Sequence, residues 1–264
     1  MTASSVPNHR PYRAPIQSTQ DLPFTVRLAK GAKDMQDLIT LRQQAYGKHV
    51  PGIARKLETM ETDDKRPDAL ILVARSKSND QLLGSVRLVN NLSEPLRVES
   101  EITLPPQFKR RKLAEARRLV VVGGTAGRAV SASLIKAAFE ICFRAGIDDT
   151  LITARHPVDR MYRMMQFDDL LGTKKITLPD ASNLPHSLFG MPIQEAETRW
   201  VAAACPLYDF MATTLHPDID INYDTVRHRF CAQHAPNSGF AAAAQPSCHL
   251  SHSDNQMDKQ PCTH

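Results

Sequence analysis

The 264-residue chain has no apolar run approaching the roughly 20 residues that span a bilayer, and its first 20 residues lack the apolar stretch of a secretory signal. A cytoplasmic protein is expected. Aromatic residues make up only 6%, with a single tryptophan. So few rings, and no recognised nucleic-acid module, argue against a protein that stacks bases. There is no Cys-x-x-Cys. The five cysteines (Cys142, Cys205, Cys231, Cys248 and Cys262) are scattered and odd in number, which argues against a disulfide framework. Cys231, His234, Cys248, His249, His252, Cys262 and His264 are metal-ligand types without zinc spacing, so no metal is expected. No internal repeat is present.

What the chain does have is positive charge, formally +5, with its densest run at Lys109-Arg110-Arg111-Lys112. Such a run is either a solvated face or a docking site for an acidic partner. Phe24 to Leu28 alternates as a strand does, and Asp34 to Tyr46 carries Met35, Leu38, Ile39 and Leu41 at helical spacing. Lys48 to Pro67 reads as a long loop bordering a site. Ala69–Arg75 and Gln81–Asn90 read as a hairpin across turn-forming residues. A strand from Leu119 to Val122 ends at Gly123-Gly124 and leads into a helix over Ala129–Ala145. Thr150–Ala154 reads as a strand, Val158–Met165 as a short helix and Trp200–Ala203 as part of a last strand. The expected class is α+β, with disordered residues 1–20, a domain over 21–221 and a disordered tail over 222–264.

Two of these strands carry charge in apolar surroundings: Arg87 lies between Val86 and Leu88, and Glu115 and Arg118 precede a valine run. Burying such charge is costly unless it is paired or used. The pattern extends upstream. Arg42 is followed four residues later by Tyr46, Glu61 and Asp64 form an acidic pair, Gly84 precedes Arg87-Leu88 in a G-x-x-R-L strand, and Glu115 precedes Arg118-Leu119.

With these motifs in this order, the chain resembles the GNAT-like N-acyl amino acid synthases, relatives of the acyl-homoserine lactone synthases, from about Phe24 to Phe167. The resemblance implies a GNAT-like mixed sheet, mostly antiparallel and flanked by helices. It implies a long acyl group moved from an acyl carrier protein or coenzyme A thioester to an amine, with no tightly bound cofactor. The lactone synthases usually carry Trp where this chain has Ala114 and Asp where it has Glu61, so an N-acyl amino acid is the favoured product and a lactone the alternative. A third reading is a non-catalytic acyl or carrier-binding module.

Acyl transfer to an amine needs a base, oxyanion donors and a proton for the leaving thiolate. Glu115 is the candidate base, acting through a water. Arg118 either steadies it or, like Arg87, binds the substrate carboxylate. Backbone N–H groups of Leu119–Val122 would stabilise the oxyanion, and Tyr162 would protonate the thiolate. Arg42, Tyr46, Glu61 and Asp64 are candidates for substrate contact, although Arg42, Glu61 and Asp64 read equally well as an ion-pair network that orders the loop. Gly124, Gly127, Arg128 and Ala129 open the long helix, where N–H groups favour the phosphate of phosphopantetheine. Lys109, Arg110, Arg111 and Lys112 would dock the carrier. Met161, Met164, Met165, Phe139, Phe143 and Phe167 are candidate walls of an acyl tunnel or, more simply, core.

Overall fold

The computed structural model describes residues 13–47, 50–179 and 183–231. In chain order the elements begin with β1 (Ser18–Thr19), β2 (Phe24–Leu28), α1 (Gly31–Gly47), α2 (Pro51–Lys56), a 3-10 turn (Thr62–Lys65), β3 (Leu70–Ser76), β4 (Leu82–Asn90) and α3 (Arg97–Glu101). They continue with β5 (Leu113–Val121), α4 (Gly124–Ala145), β6 (Asp149–Ala154), α5 (Asp159–Met164), β7 (Asp168–Asp169), β8 (Ile176–Thr177), β9 (Pro185–Pro192), α6 (Ala196–Ala202), β10 (Thr214–Leu215) and α7 (Tyr223–Cys231).

The main sheet has the order β2-β3-β4-β5-β6-β9-β7, and β8 also pairs with β9. Every pairing in it is antiparallel except β5 with β6. That parallel pair demands a crossover, which α4 supplies. On one face of α4, Val130, Leu134, Ala137, Ala138 and Ile141 recur at helical spacing and are buried against the sheet. Gly146, with φ +68°, ends the helix in the left-handed conformation that glycine adopts without penalty. α1 packs on the opposite face through Leu38 and Leu41, which meet Ile71 and Val73.

Two irregularities in β5 shape everything downstream. β5 pairs with β6 over only three residues, from Leu113–Asp149 to Glu115–Leu151, and then leaves it. On its other side, the register with β4 jumps from Arg87–Arg117 to Ser85–Val120, so Arg118 and Leu119 together oppose Val86. Such a bulge bends its strand and increases the local twist. Arg118 takes φ +55° there, a conformation that costs a non-glycine residue on the order of 1 kcal/mol.

Several sequence expectations need correction. Lys48–Pro67 is not one long loop: Pro51 opens α2, whose Ile53 is buried together with Leu57 one turn on, and Thr62–Lys65 forms the 3-10 turn. Trp200–Ala203 is not a strand. Its residues end α6, which buries Ala196, Glu197 and Trp200, one helical turn apart. The strand beside β6 is β9, bounded by Pro185 and Pro192. The stretch expected to be a disordered tail from residue 222 begins with α7, whose Val226 and Phe230 are buried, and Asn90 donates a side-chain hydrogen bond to the Phe230 carbonyl. Residues 232–264 lie outside the described residues. In the N-terminal stretch, β1 pairs with β10 and Arg13 meets Glu197 at 3.0 Å, while residues 1–12 lie outside the described residues. No helix among the described residues is long and apolar enough to cross a membrane.

The turn from β5 into α4 is tight. A Cβ on Gly127 would stand 2.0 Å from the Val122 carbonyl oxygen, whereas one on Gly123 would meet nothing within 4 Å. Gly127→Ala is therefore expected to cost roughly 1–3 kcal/mol and Gly123→Ala well under that. Denaturant midpoints of the two variants check the contrast.

Candidate active site

The bulge brings Arg117 and Arg118 to the same side of β5, facing α1 and α2. The charged residues singled out in the sequence gather there. Arg42, buried on α1, makes a two-pronged pair with Asp64 at 2.7 and 3.0 Å. Arg118 makes another with Glu61 at 2.8 and 2.5 Å, and its guanidinium lies 5.5 Å from the Tyr46 ring centre. Arg87, fully buried on β4, reaches Glu61 at 3.1 Å, Asp64 at 3.0 Å and Asp63 at 3.1 Å. Three arginines thus face three carboxylates of one short turn. Burial opposes the charge on Glu61, but the Arg118 hydrogen bond and the Arg87 and Arg42 charges outweigh it and hold this carboxyl at about 2. Asp64 is likewise held below the usual range: the same arginines outweigh its burial. Of the two roles expected for Arg42, Glu61 and Asp64, the geometry displays the ion-pair network.

Glu115 stands apart from this network. It is the last residue of β5 that pairs with β6, at the apex of the gap, and is 1% exposed. One carboxylate oxygen accepts from the Val98 N–H at 3.4 Å, and the other lies 3.7 Å from Arg117 Nε. Burial pushes its pKa up, against the Arg117 charge. The expectation that Arg118 steadies Glu115 is therefore corrected. The adjacent guanidinium is Arg117's, and Arg118 is drawn across to Glu61.

Beyond Glu115 the strands part, and a cavity opens on each face of the sheet. On the α4 face Ala116 and Ile152 line an apolar cavity with Phe139, Tyr162, Met165 and Trp200. Their chain neighbours Arg117 and Thr153 line a second cavity on the α1 face, with Arg118, Arg155, His186 and Tyr46. Alternation along both strands thus sets an oily chamber and a cationic one back to back across an open seam. Tyr162 stands edge-on to Phe167 with ring centres 5.5 Å apart, and burial pushes its hydroxyl well above the ordinary tyrosine range. Of the candidate tunnel residues, Phe139, Met165 and Phe167 line the apolar cavity. Met161 and Phe143 pack on the core, and Met164 is exposed.

The fold so assembled can be compared with known proteins. The profile of the N-acyl amino acid synthase FeeM family matches residues 37–190. The chain belongs to this family. Among solved structures, FeeM, an N-acyl amino acid synthase from uncultured soil microbes, is 16% identical and superposes with a TM-score of 0.56 over 71% of this chain and 98% of that one. BjaI, a CoA-dependent acyl-homoserine lactone synthase, is 14% identical, with a TM-score of 0.49 over 78% and 99%. A putative N-acetyltransferase from Lactobacillus plantarum is 14% identical, with a TM-score of 0.47 over 65% and 99%. No curated protein matches the sequence. The FeeM-family chain is thus an acyltransferase with the GNAT-like fold expected of it.

In this acyltransferase, Gly124, Gly127, Arg128 and Ala129 form the first turns of α4, at the open end of the gap, and Gly124 takes φ +82°. Lys109–Lys112 lie at the other end of β5, nine residues or about 30 Å away along the strand. Arg111 is paired with Asp149, and the Lys112 N–H donates to Asp148 at 2.8 Å. A carrier docked on this run would face the closed end of the gap. Among the described residues no group of His, Cys, Asp or Glu is arranged to hold a metal. The histidine- and cysteine-bearing tail from residue 232 lies outside them. Sequence reading missed Arg117, Thr153, Arg155 and His186. Arg117 was legible as one of two adjacent arginines, but only the bulge turns both toward one side.

Replacing Glu61 by Gln leaves Arg118 and Arg87 short of a carboxylate, a loss expected to cost on the order of 3 kcal/mol at neutral pH. Glu61 has its pKa depressed on folding, so its contribution is complete above about 4.5 and lost as pH falls through about 2. The difference between wild type and Glu61→Gln in chemical denaturation should shrink across that window.

Proposed function

We propose that the chain transfers a long-chain acyl group from the thioester of an acyl carrier protein to the amine of an amino acid, releasing an N-acyl amino acid and the carrier thiol. The observation that carries this reading is the seam between β5 and β6, with its apolar chamber on one face and its cationic chamber on the other. A thioester carbonyl lying in the seam has its acyl chain in one and its attacking amine in the other. The phosphate of the phosphopantetheine arm is held by N–H groups of Gly124, Gly127 and Ala129 and by Arg128 at the α4 N-terminus.

In the proposed step the amine attacks the thioester carbonyl, and β5 N–H groups from Leu119 onward, along the edge that β6 has left, stabilise the oxyanion. Glu115 takes the amine proton through a water, a task favoured by its raised pKa. The C–S bond breaks, and Tyr162, protonated at neutral pH, gives its proton to the leaving thiolate.

Glu115→Gln is expected to lower kcat/KM by roughly 10²–10⁴. In the wild type, activity should fall as pH drops through the raised Glu115 pKa, and Glu115→Gln should remove that acid limb. Mass spectrometry of lipids from cells producing either protein checks the chemistry: N-acyl amino acids should appear with wild type and vanish with the variant. Acyl-homoserine lactones, or no acylated amine from folded protein, would overturn the reading.

The space left in the apolar chamber is about 40 Å³, less than the ~150 Å³ apolar cavity that admits benzene. An acyl chain therefore lodges there by displacing the flexible side chains of Met165, Met191 and Met211, which line it. Ala138 faces the same space from α4. Ala138→Phe is expected to shift the products toward shorter acyl groups, read from the chain-length distribution in the same spectra.

A further inference from the structure

The N-terminal segment lies across the outside of the apolar chamber. Gln17 and Gln20 donate backbone hydrogen bonds to Thr213 and Leu215 at 2.7 and 2.9 Å, and β1 between them runs parallel to β10. From that anchor the chain runs back to Arg13, whose guanidinium lies 4.5 Å from the Phe143 ring centre and 5.7 Å from that of Phe139. The same guanidinium pairs with Glu140 of α4 and, at 3.0 Å, with Glu197 of α6, and the Ala14 N–H donates to Glu197 at 2.8 Å. Arg13 thus staples α4 to α6.

The stapled helices are two walls of the chamber. Phe139, one residue before Glu140, and Trp200, one turn after Glu197, both line it, and their rings meet with centres 5.0 Å apart. Both rings are buried and Arg13 is exposed, so the staple lies on the solvent side of this contact. The neighbouring wall is fastened differently. The segment bearing Met211 is tied to α4 by the buried Lys136, which donates to the carbonyls of Phe210, at 2.8 Å, and Thr214, and meets His216 Nδ1 at 3.1 Å. Water reaches Arg13 but not this ammonium, and ion pairs that water reaches are the weaker kind. The wall therefore parts between Phe139 and Trp200.

An acyl chain that outgrows the space freed by the methionines leaves by that route, and there it meets a guanidinium. Hydrocarbon pressed against Arg13 would strip water and carboxylates from the charge, which is costly. Resting on the acyl-transfer reading above, we infer that Arg13 is the stop that sets the upper length of the acyl group, acting through the staple between α4 and α6. It determines specificity from outside the chamber and touches neither the thioester nor the amine.

The test measures binding of decanoate and hexadecanoate to the purified full-length chain by titration calorimetry, beside the acyl-length distribution of acylated amines from cells producing it. Arg13→Ala is expected to raise affinity for hexadecanoate relative to decanoate by about 10-fold or more, and to shift the cellular products toward longer acyl groups. This variant strands the buried carboxylate of Glu197. Arg13→Ala/Glu197→Gln removes that charge as well, and the same shift is expected of it. Loss of packing alone would weaken binding of both acids alike and leave their ratio where it was. An unchanged ratio, or an unchanged product length, in both variants would overturn the inference and leave acyl transfer standing. A shifted ratio with no acylated amine from any of the proteins would overturn the acyl-transfer reading and leave the stop in place. Binding of neither acid, with no acylated amine formed, would overturn both.

Discussion

The buried exchange of charge between Arg42, Arg87 and Arg118 and the turn bearing Glu61, Asp63 and Asp64 is the constraint on which the site depends. Each arginine comes from a different element, namely α1, β4 and β5, and the carboxylates come from one short turn. Removing such charges from water is expensive, and their mutual attraction offsets the cost only with good geometry. The bidentate contacts of Arg42 and Arg118 supply that geometry. The network is therefore a weak source of net stability and a strong source of position. It holds Arg118 in a left-handed conformation that the residue would not choose, and so holds the bulge.

The bulge in turn governs the sheet. β5 must satisfy β4 on one side while leaving β6 on the other, and a strand with one extra residue bends enough to do both. An ordinary parallel pair would have continued to the end of β6 and closed the seam. Instead the strand pairing stops at Glu115, and side chains that simple alternation would bury become the walls of two chambers. The glutamate at the apex has its pKa raised by burial, which outweighs the charges of Arg117 and Arg87 and the Val98 N–H, while Arg118 is drawn across to Glu61.

Much of this was written in the sequence, and the parts that were not share a physical cause. Arg87 among apolar residues and Glu115 before a valine run announce buried charge, because neither fits a strand that merely fills a core. The pairing of Arg42 with Asp64 was open as one of two roles. Three-dimensional competition decided the rest. That Arg118 meets Glu61 rather than Glu115 depends on a bulge that no glycine marks. Trp200 and Val201 favour strand locally, yet the burial of Ala196, Glu197 and Trp200 makes a helix. β9 hides between two prolines, and its pairing with β6 on one side and with β7 and β8 makes it a strand. α7 carries just Val226 and Phe230 as buried apolar residues, one turn apart in a polar sequence, too weak a period to read without the surface that receives it.

The two chambers differ in how sharply they can discriminate, and the difference follows from what lines them. An apolar wall distinguishes neighbouring chain lengths by about 1–3 kcal/mol per methylene at best. Methionines blunt even that, since they move aside at little cost. The α1-face wall cannot relax in the same way, because Arg118 is pinned there by its two-pronged pair with Glu61. On the proposed reading, the soft side of the seam takes the part of the product that varies in length, and the rigid side takes the part that must be oriented for attack. Rigidity is needed where the amine approaches, because a misplacement of about 1 Å at the reacting atoms is costly. It is not needed where a hydrocarbon tail is only kept dry. The network that positions Arg118 and the methionines that line the acyl chamber thus answer opposite demands of one reaction, from opposite faces of one sheet.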